Sequence, residues 1–170
     1  MRDKNNFENE LIDLLSLRRK EMKRNYNRVL PTGELLFNRY EKASYLNAGD
    51  RSSIYDTSVI MGDVEIGHDV WIGPYTLIEG INGHIKIGDW VSINSGVMIF
   101  SHDSTKYYLS GGRDSFKQGN VTIGSFSVIG SMSVISCGVT IGNHCVIAVG
   151  SFVNKSVEDN SIMAGSPAIK

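Results

Sequence analysis

Residues 121–153, VTIGSFSVIGSMSVISCGVTIGNHCVIAVGSFV, place an aliphatic residue at every sixth position. The anchors are Ile123, Ile129, Ile135, Ile141, Ile147 and Val153. Four positions after each comes a small or β-branched residue: Ser127, Ser133, Val139, Cys145, Ser151 and Val157. Toward the N-terminus the ladder continues through Ile99, Ile93 and Ile87, then through Ile78, Ile72, Ile66, Ile60 and Ile54. Neither a helix of 3.6 residues per turn nor a simply alternating strand produces a strict period of six. A short extended stretch followed by a sharp turn does, with one aliphatic and one small side chain pointing inward per repeat. Glycine or a short polar residue is expected where the turn demands unusual backbone angles, and Ile-Gly pairs recur at Ile66-Gly67, Ile72-Gly73, Ile87-Gly88, Ile123-Gly124, Ile129-Gly130 and Ile141-Gly142. Three such faces close a triangular coil of 18 residues, and coils stack as parallel strands about 4.7–4.9 Å apart. Fourteen anchors make between four and five coils, a prism about 20–25 Å long at that spacing. The fold expected is mainly β, a parallel β-helix.

Two interruptions of the ladder locate its irregular parts. Nine residues separate Ile78 from Ile87, so a small bulge within 81–86, including His84, is expected. Twenty-four separate Ile99 from Ile123. Ile66, Ile87, Ile123 and Ile141 share one face only if 101–120 leaves the prism as an extruded loop. That segment carries Gly111-Gly112 and the contact candidates Tyr107, Tyr108 and Phe116. A loop this long inside a compact domain is read as functional.

Residues 1–50 do not repeat and read as a helical cap, 51–157 as the β-helix with its loop, and 158–170 as a tail. Phe7, Leu11, Leu14, Leu15 and Met22 fit one face of a helix, and Arg18-Arg19-Lys20 lies on its outer side as a solvated face. A second helix is expected after Pro31-Thr32-Gly33, carrying Leu36, Tyr40 and Ala43. These helices are expected to cover the open end of the prism, where unpaired strand edges would otherwise stand.

Composition narrows the function classes. The 170 residues (18.7 kDa) are 41% hydrophobic and 21% charged, with a net charge of -1, which leaves no electrostatic footprint for nucleic acid. Apolar runs such as Val97–Phe100 are far too short for a membrane span. Met1–Asn6 lacks the apolar segment of a secretory signal, and Cys137 and Cys145 stand without the second pair of a zinc set. A cytoplasmic, reduced protein is expected.

The hexad ladder, the loop opening with Ser101-His102-Asp103, and the closing Ala164-Gly165-Ser166-Pro167-Ala168 together resemble the left-handed β-helix (hexapeptide-repeat) acyltransferases. Among them, residues 51–168 are most similar to the sugar O-acetyltransferases of surface-polysaccharide synthesis. The resemblance implies a left-handed coil, acetyl-CoA as acyl donor, a homotrimer with sites between neighbouring prisms, and a loop histidine as general base. That role falls on His102. Acyl transfer from a thioester needs a base for the incoming hydroxyl or amine, and histidine titrates near neutrality. His68, His84 and His144 read as turn residues. The group that holds the ring of His102 is open between Asp103, its chain neighbour, and Glu79, which follows Ile78 on the face that leads into the loop.

For the coenzyme, the resemblance implies contacts from Ser131, Val149, Asn154 and Lys155, with Pro167 against the adenine end. Ser131 and Val149 are 18 positions apart, hence stacked on successive coils. Lys155 is placed to meet the phosphates as a point charge. Asn154 stands where threonine is commoner, and Ile169 where the family's tail carries a basic residue.

Three other readings fit the residues less well. The β-helical carbonic anhydrases need three histidines converging on zinc, two of them close in sequence, whereas the histidines here are spaced 16, 18 and 42 apart; no metal is expected. An N-acetyltransferase acting on a nucleotide-linked amino sugar would use the same base and donor. A non-catalytic β-helix would need neither the loop histidine nor the C-terminal pattern.

Overall fold

The computed structural model describes residues 4–170; Met1–Asp3, the start of the segment read for a leader, lie outside the described residues. Helices α1 (Lys4–Tyr26), α2 (Thr32–Leu36) and α3 (Arg39–Tyr45) precede a stack of short parallel strands. The strands lie on three faces, met in chain order as A, B and C. On face A, Ile54, Ile72, Ile93, Ile129 and Ile147 follow one another in hydrogen-bonded register. Face B carries Ile60, Ile78, Ile99, Ile135 and Val153, and face C carries Ile66, Ile87, Ile123 and Ile141, with Val157 bridged to Ile141. Most of the anchors are wholly buried. Each buried isoleucine contributes about 1.5–3 kcal/mol relative to exposure.

The small inward positions are buried too. Their serines bond between coils: Ser127 Oγ donates to Gly142 O (3.1 Å) and accepts from Cys145 N–H (3.0 Å), and Ser133 does the same with Ala148 O (2.9 Å) and Ser151 N–H (3.2 Å). A hydroxyl is tolerated inside the prism because both of its roles are filled.

The glycines of the Ile-Gly pairs have a different cause from the one expected. The left-handed backbone lies two positions later, at residues such as Asp69 (φ 57°), Trp90 (φ 56°), Phe126 (φ 60°) and His144 (φ 55°). The paired glycines are instead where a Cβ would run into the neighbouring coil. A Cβ on Gly124 would lie 2.5 Å from the carbonyl carbon of Gly142, and one on Gly130 would lie 2.6 Å from Ile147 O.

Capping falls to α2 and α3. Ala43 on α3 joins the core, with Leu46 and Ala48 packed against it. Lys42 Nζ donates to the carbonyls of Tyr55 (3.0 Å), Asp56 (2.7 Å) and Ser58 (2.6 Å), while Glu34 Oε1 accepts the Asp56 N–H (2.6 Å). These side chains bond backbone groups at the open end of the first coil, where Tyr55 O also accepts the Ser58 N–H (3.0 Å). Partial burial lowers the affinity of Lys42 for its proton, against the opposing pull of Asp56 and Glu34. The expected second helix is divided in two because Asn38 has extended backbone and its side chain accepts the Tyr40 N–H (2.9 Å), starting α3 afresh. Helix α1 packs along α2 and leaves Phe7, Leu11, Ile12, Leu14 and Leu17 exposed rather than turned onto the end of the prism.

The coil also runs past Val157. Ile162–Gly165 pairs in parallel with Val146–Ile147, extending face A, and then turns back on itself as the antiparallel strand Ala168–Ile169. The last turn is two residues short of 18, since Ile147 pairs with Met163. The strict six-residue period therefore does not reveal it.

Candidate active site

Strand Leu77–Ile87 runs unbroken around the corner from face B to face C. Its three extra residues are taken up by a register shift opposite Gly62 and Val64. The widened stretch meets the neck of the long loop: Asn82 N–H donates to Ser101 Oγ (3.1 Å) and His84 N–H to Asn120 Oδ1 (3.0 Å). The neck itself is closed by Gly119 N–H donating to Ser101 O (3.0 Å). Glycine is required there, because a Cβ on Gly119 would lie 2.7 Å from Gly138 N. The bulge and the loop are thus one structural unit.

The loop is ordered by its own elements. His102–Asp103 pairs antiparallel with Lys117–Gln118, and α4 (Thr105–Leu109) crosses the tip. Phe116 stacks on the His102 ring at 5.6 Å between centroids and 26° between planes, and Tyr107 meets Phe116 edge-on at 4.8 Å.

Of the two carboxylates, Glu79 is the one that reaches the histidine. Its Oε2 lies 2.5 Å from His102 Nδ1. The pairing of Glu79 with Phe100 across adjacent strands carries it there. Glu79 is buried and surrounded by donors: Ile81 N–H to Oε1 at 2.6 Å, and Ser101 Oγ at 3.4 Å from both oxygens. A carboxylate met only by donors takes a proton-bearing Nδ1 as its partner, which leaves the lone pair of the imidazole on Nε2. The tautomer is assigned from this network. The His102 side chain is 26% exposed, so the ring is held at one end and open at the other. Such a ring can accept a proton from a bound hydroxyl or amine.

Asp103 turns away. Its Oδ1 accepts the Thr105 N–H (2.8 Å) at the start of α4. The hydroxyl and amide of Thr105, then the charge of Lys117, hold its carboxyl below the usual range. Consecutive side chains on an extended strand point to opposite sides, which separates it from the ring of His102.

The coenzyme candidates divide between two edges of the prism. Ser131 and Val149 stack one coil apart on the A–B edge, where Gly150 N–H donates to Ser131 O (2.9 Å). Asn154 and Lys155 are exposed on the B–C edge, two coils beyond the root of the His102 loop, as the register Ile99–Ile135–Val153 requires. Pro167 sits in the terminal hairpin, which is tied back to the stack by Gly165 N–H donating to Ser151 Oγ (3.3 Å). One chain does not gather all five. His68 Nδ1 accepts the Asp50 N–H (2.9 Å), His84 faces Asp63 (3.0 Å), and His144 stacks on Phe126 at 4.9 Å, so each is engaged away from His102. Ser101 stands out in the sequence only as part of the loop's opening motif. Its signal was its place directly after Phe100, the strand partner of Glu79.

The sequence matches no protein-family model. It is 32% identical over 105 residues to protein YrdA of Escherichia coli K12, an alignment covering 62% of this chain and 53% of YrdA. The chain thus spans about half the length of that curated relative. Among solved structures, a hexapeptide-repeat acetyltransferase of Vibrio cholerae superposes with a TM-score of 0.69 at 23% identity, over 94% of this chain and 90% of that one. A maltose O-acetyltransferase of Clostridium difficile 630 gives 0.66 at 24% identity, over 94% and 87%. The N-acyltransferase AntD of Bacillus cereus, in complex with dTDP and 3-hydroxybutyryl-CoA, gives 0.57 at 22% identity, over 79% and 89%. The fold is the left-handed parallel β-helix of the hexapeptide-repeat acetyltransferases, and the chain resembles that family across nearly its whole described length.

Proposed function

We propose that this protein transfers an acetyl group from acetyl-CoA to a hydroxyl of a sugar or polysaccharide precursor, with His102 as general base and Glu79 holding its ring. The observation that carries the reading is the 2.5 Å contact between His102 Nδ1 and Glu79 Oε2 at the root of the extruded loop. With Nδ1–H committed to Glu79, Nε2 takes the proton of the acceptor hydroxyl as that oxygen attacks the thioester carbonyl. When the carbon–sulfur bond breaks, the same proton goes to the leaving thiolate, and His102 returns to its starting form. The acetyl-CoA complex of the Vibrio cholerae neighbour and the acceptor named for the Clostridium difficile one support the donor and the acceptor class.

Ser131, Val149, Asn154, Lys155 and Pro167 are proposed to contact the coenzyme, and a homotrimer to assemble them. Two observations favour assembly. The five residues lie on separate edges of one prism. The outer side of face B also carries Val59, Leu77, Met98, Val134 and Phe152 in unbroken register, whereas the outer side of face C carries Glu65, Lys86, Thr122 and Thr140. A sheet face turned to water alternates apolar-in with polar-out, so an apolar outer column marks a covered face. Two buried free thiols, Cys137 and Cys145, fit a reducing cytoplasm.

Calorimetry with acetyl-CoA, followed by coenzyme release in the presence of hydroxyl sugars and nucleotide-linked amino sugars, tests the proposal. Release driven by hydroxyl sugars is expected. Release driven only by amino sugars would replace the O-acetyltransferase with the N-acetyltransferase, which shares transfer to nitrogen with the N-acyltransferase AntD. Failure of acetyl-CoA and coenzyme A to bind at millimolar concentration would remove both.

A further inference from the structure

We propose that Ser101 is a positioning residue, acting on the ring of His102 through Glu79. The inference rests on the pairing of His102 with Glu79 and deepens it. Ser101 is wholly buried, and its polar atoms are all engaged. Its N–H donates to Glu79 O (3.0 Å), and its carbonyl accepts Gly119 N–H (3.0 Å). Its Oγ accepts Asn82 N–H (3.1 Å) and lies 3.4 Å from both carboxylate oxygens of Glu79. The incoming N–H of Asn82 occupies a lone pair of the hydroxyl, so the hydroxyl proton is directed to the carboxylate.

Glu79 is thereby held at three points. Ile81 N–H fixes Oε1 at 2.6 Å, Ser101 bridges the two oxygens, and Oε2 is left to His102 Nδ1 at 2.5 Å. Without the hydroxyl, the carboxylate turns about its last torsion and its hold on Nδ1–H weakens. The other charged groups beside His102 do not replace it: Asp103 is bonded to Thr105, and Lys117, paired with Asp103 across the loop ribbon, is a donor. Which ring nitrogen carries the proton is set by the bond the other makes. Loss of Ser101 therefore releases His102 toward the Nε2–H tautomer, in which the atom meant to accept a proton already carries one.

Long-range 1H–15N NMR of the histidine-labelled, full-length protein, at a pH where the imidazole is neutral, reads this tautomer without any substrate. His102 is expected as Nδ1–H in the unmodified chain. Ser101→Ala is expected to shift the Nδ1–H to Nε2–H ratio about tenfold toward Nε2–H, the scale of one lost hydrogen bond to a charged group. Ser101→Thr, which keeps the hydroxyl, is expected to restore it. Should Ser101→Ala fail to fold, Ser101→Cys, with its weak donor, is expected to give a smaller shift in the same direction. A folded Ser101→Ala or Ser101→Cys protein whose Nδ1–H to Nε2–H ratio is unchanged overturns the role of Ser101, and the pairing with Glu79 stands. His102 found as Nε2–H in the unmodified chain overturns both. A role confined to closing the loop neck would move the amide signals of the loop and leave the tautomer alone, which also overturns the proposal.

Discussion

His102 Nδ1 and Glu79 Oε2 stand 2.5 Å apart although 23 positions separate the two residues in the chain. One whole coil plus the three-residue insertion brings them together: Ile78 pairs with Ile99, Glu79 with Phe100, and the loop leaves the prism directly afterwards. A turn earlier or later, the carboxylate would face a different coil. The tie between a rigid strand and the base of a long loop gives the loop histidine the fixity of the prism.

Glu79→Gln is expected to lower turnover by about 10²-fold or more. The amide oxygen stays where it accepts the Ile81 N–H, so the amide nitrogen faces His102 and donates to Nδ1. Asp103→Asn is expected to leave turnover within a few-fold, because that carboxylate serves Thr105. Steady-state rates on the two variants decide it; the reverse order of effects would transfer the orienting role to Asp103.

His102→Ala is expected to reduce turnover by about 10²–10⁴-fold. Calorimetric affinity for acetyl-CoA and the sedimentation mass should change little, since the proposed coenzyme contacts follow the loop in the chain. Near-normal turnover in a folded variant would end its assignment as base.

Asp103 supplies a pH test. Its carboxyl is held below the ordinary range by Thr105 and Lys117, so the bond that starts α4 is present above about pH 3.9, the unfolded value. It is lost as the pH falls through the lowered, folded value. The Thr105 amide resonance is expected to titrate with a midpoint below 3.9, and a midpoint at or above that value would contradict the contact.

Gly124→Ala and Gly138→Ala separate the two uses of glycine. Gly124 has ordinary backbone angles, but its Cβ would lie 2.5 Å from Gly142, while Gly138 has φ +80° and nothing within 4 Å. Gly138→Ala is expected to cost about 1–2 kcal/mol, the strain of left-handed backbone. Gly124→Ala is expected to cost about 3 kcal/mol or more, because two backbones must part. Denaturant melts of the two variants give the comparison.

Val134→Lys places a charge in the middle of the outer apolar column, between Met98 and Phe152. A mass near three times 18.7 kDa is expected for the unmodified protein and the monomer mass for the variant, with the β-helix intact by circular dichroism. A monomer at all concentrations in the unmodified protein would remove the proposed assembly.

The sequence by itself determined the prism. A six-residue period sets an aliphatic residue on each face and closes a regular coil on 18, so the inward positions are legible wherever the period holds. For the same reason the extra residues before Ile87 and Ile123 could be read as a bulge and a loop. Where the period fails, legibility ends: the last coil, two residues short, reads as a tail, and α1 reads as part of the cap while its apolar residues stay exposed. Tertiary structure alone decided between Glu79 and Asp103. Adjacency in the chain says nothing about which way two extended side chains point, and only the register between strands sets Glu79 beside the ring. The use of the recurrent glycines was likewise settled only in three dimensions, because a six-residue repeat is the same whether glycine is needed for its own φ or for the backbone of the next coil.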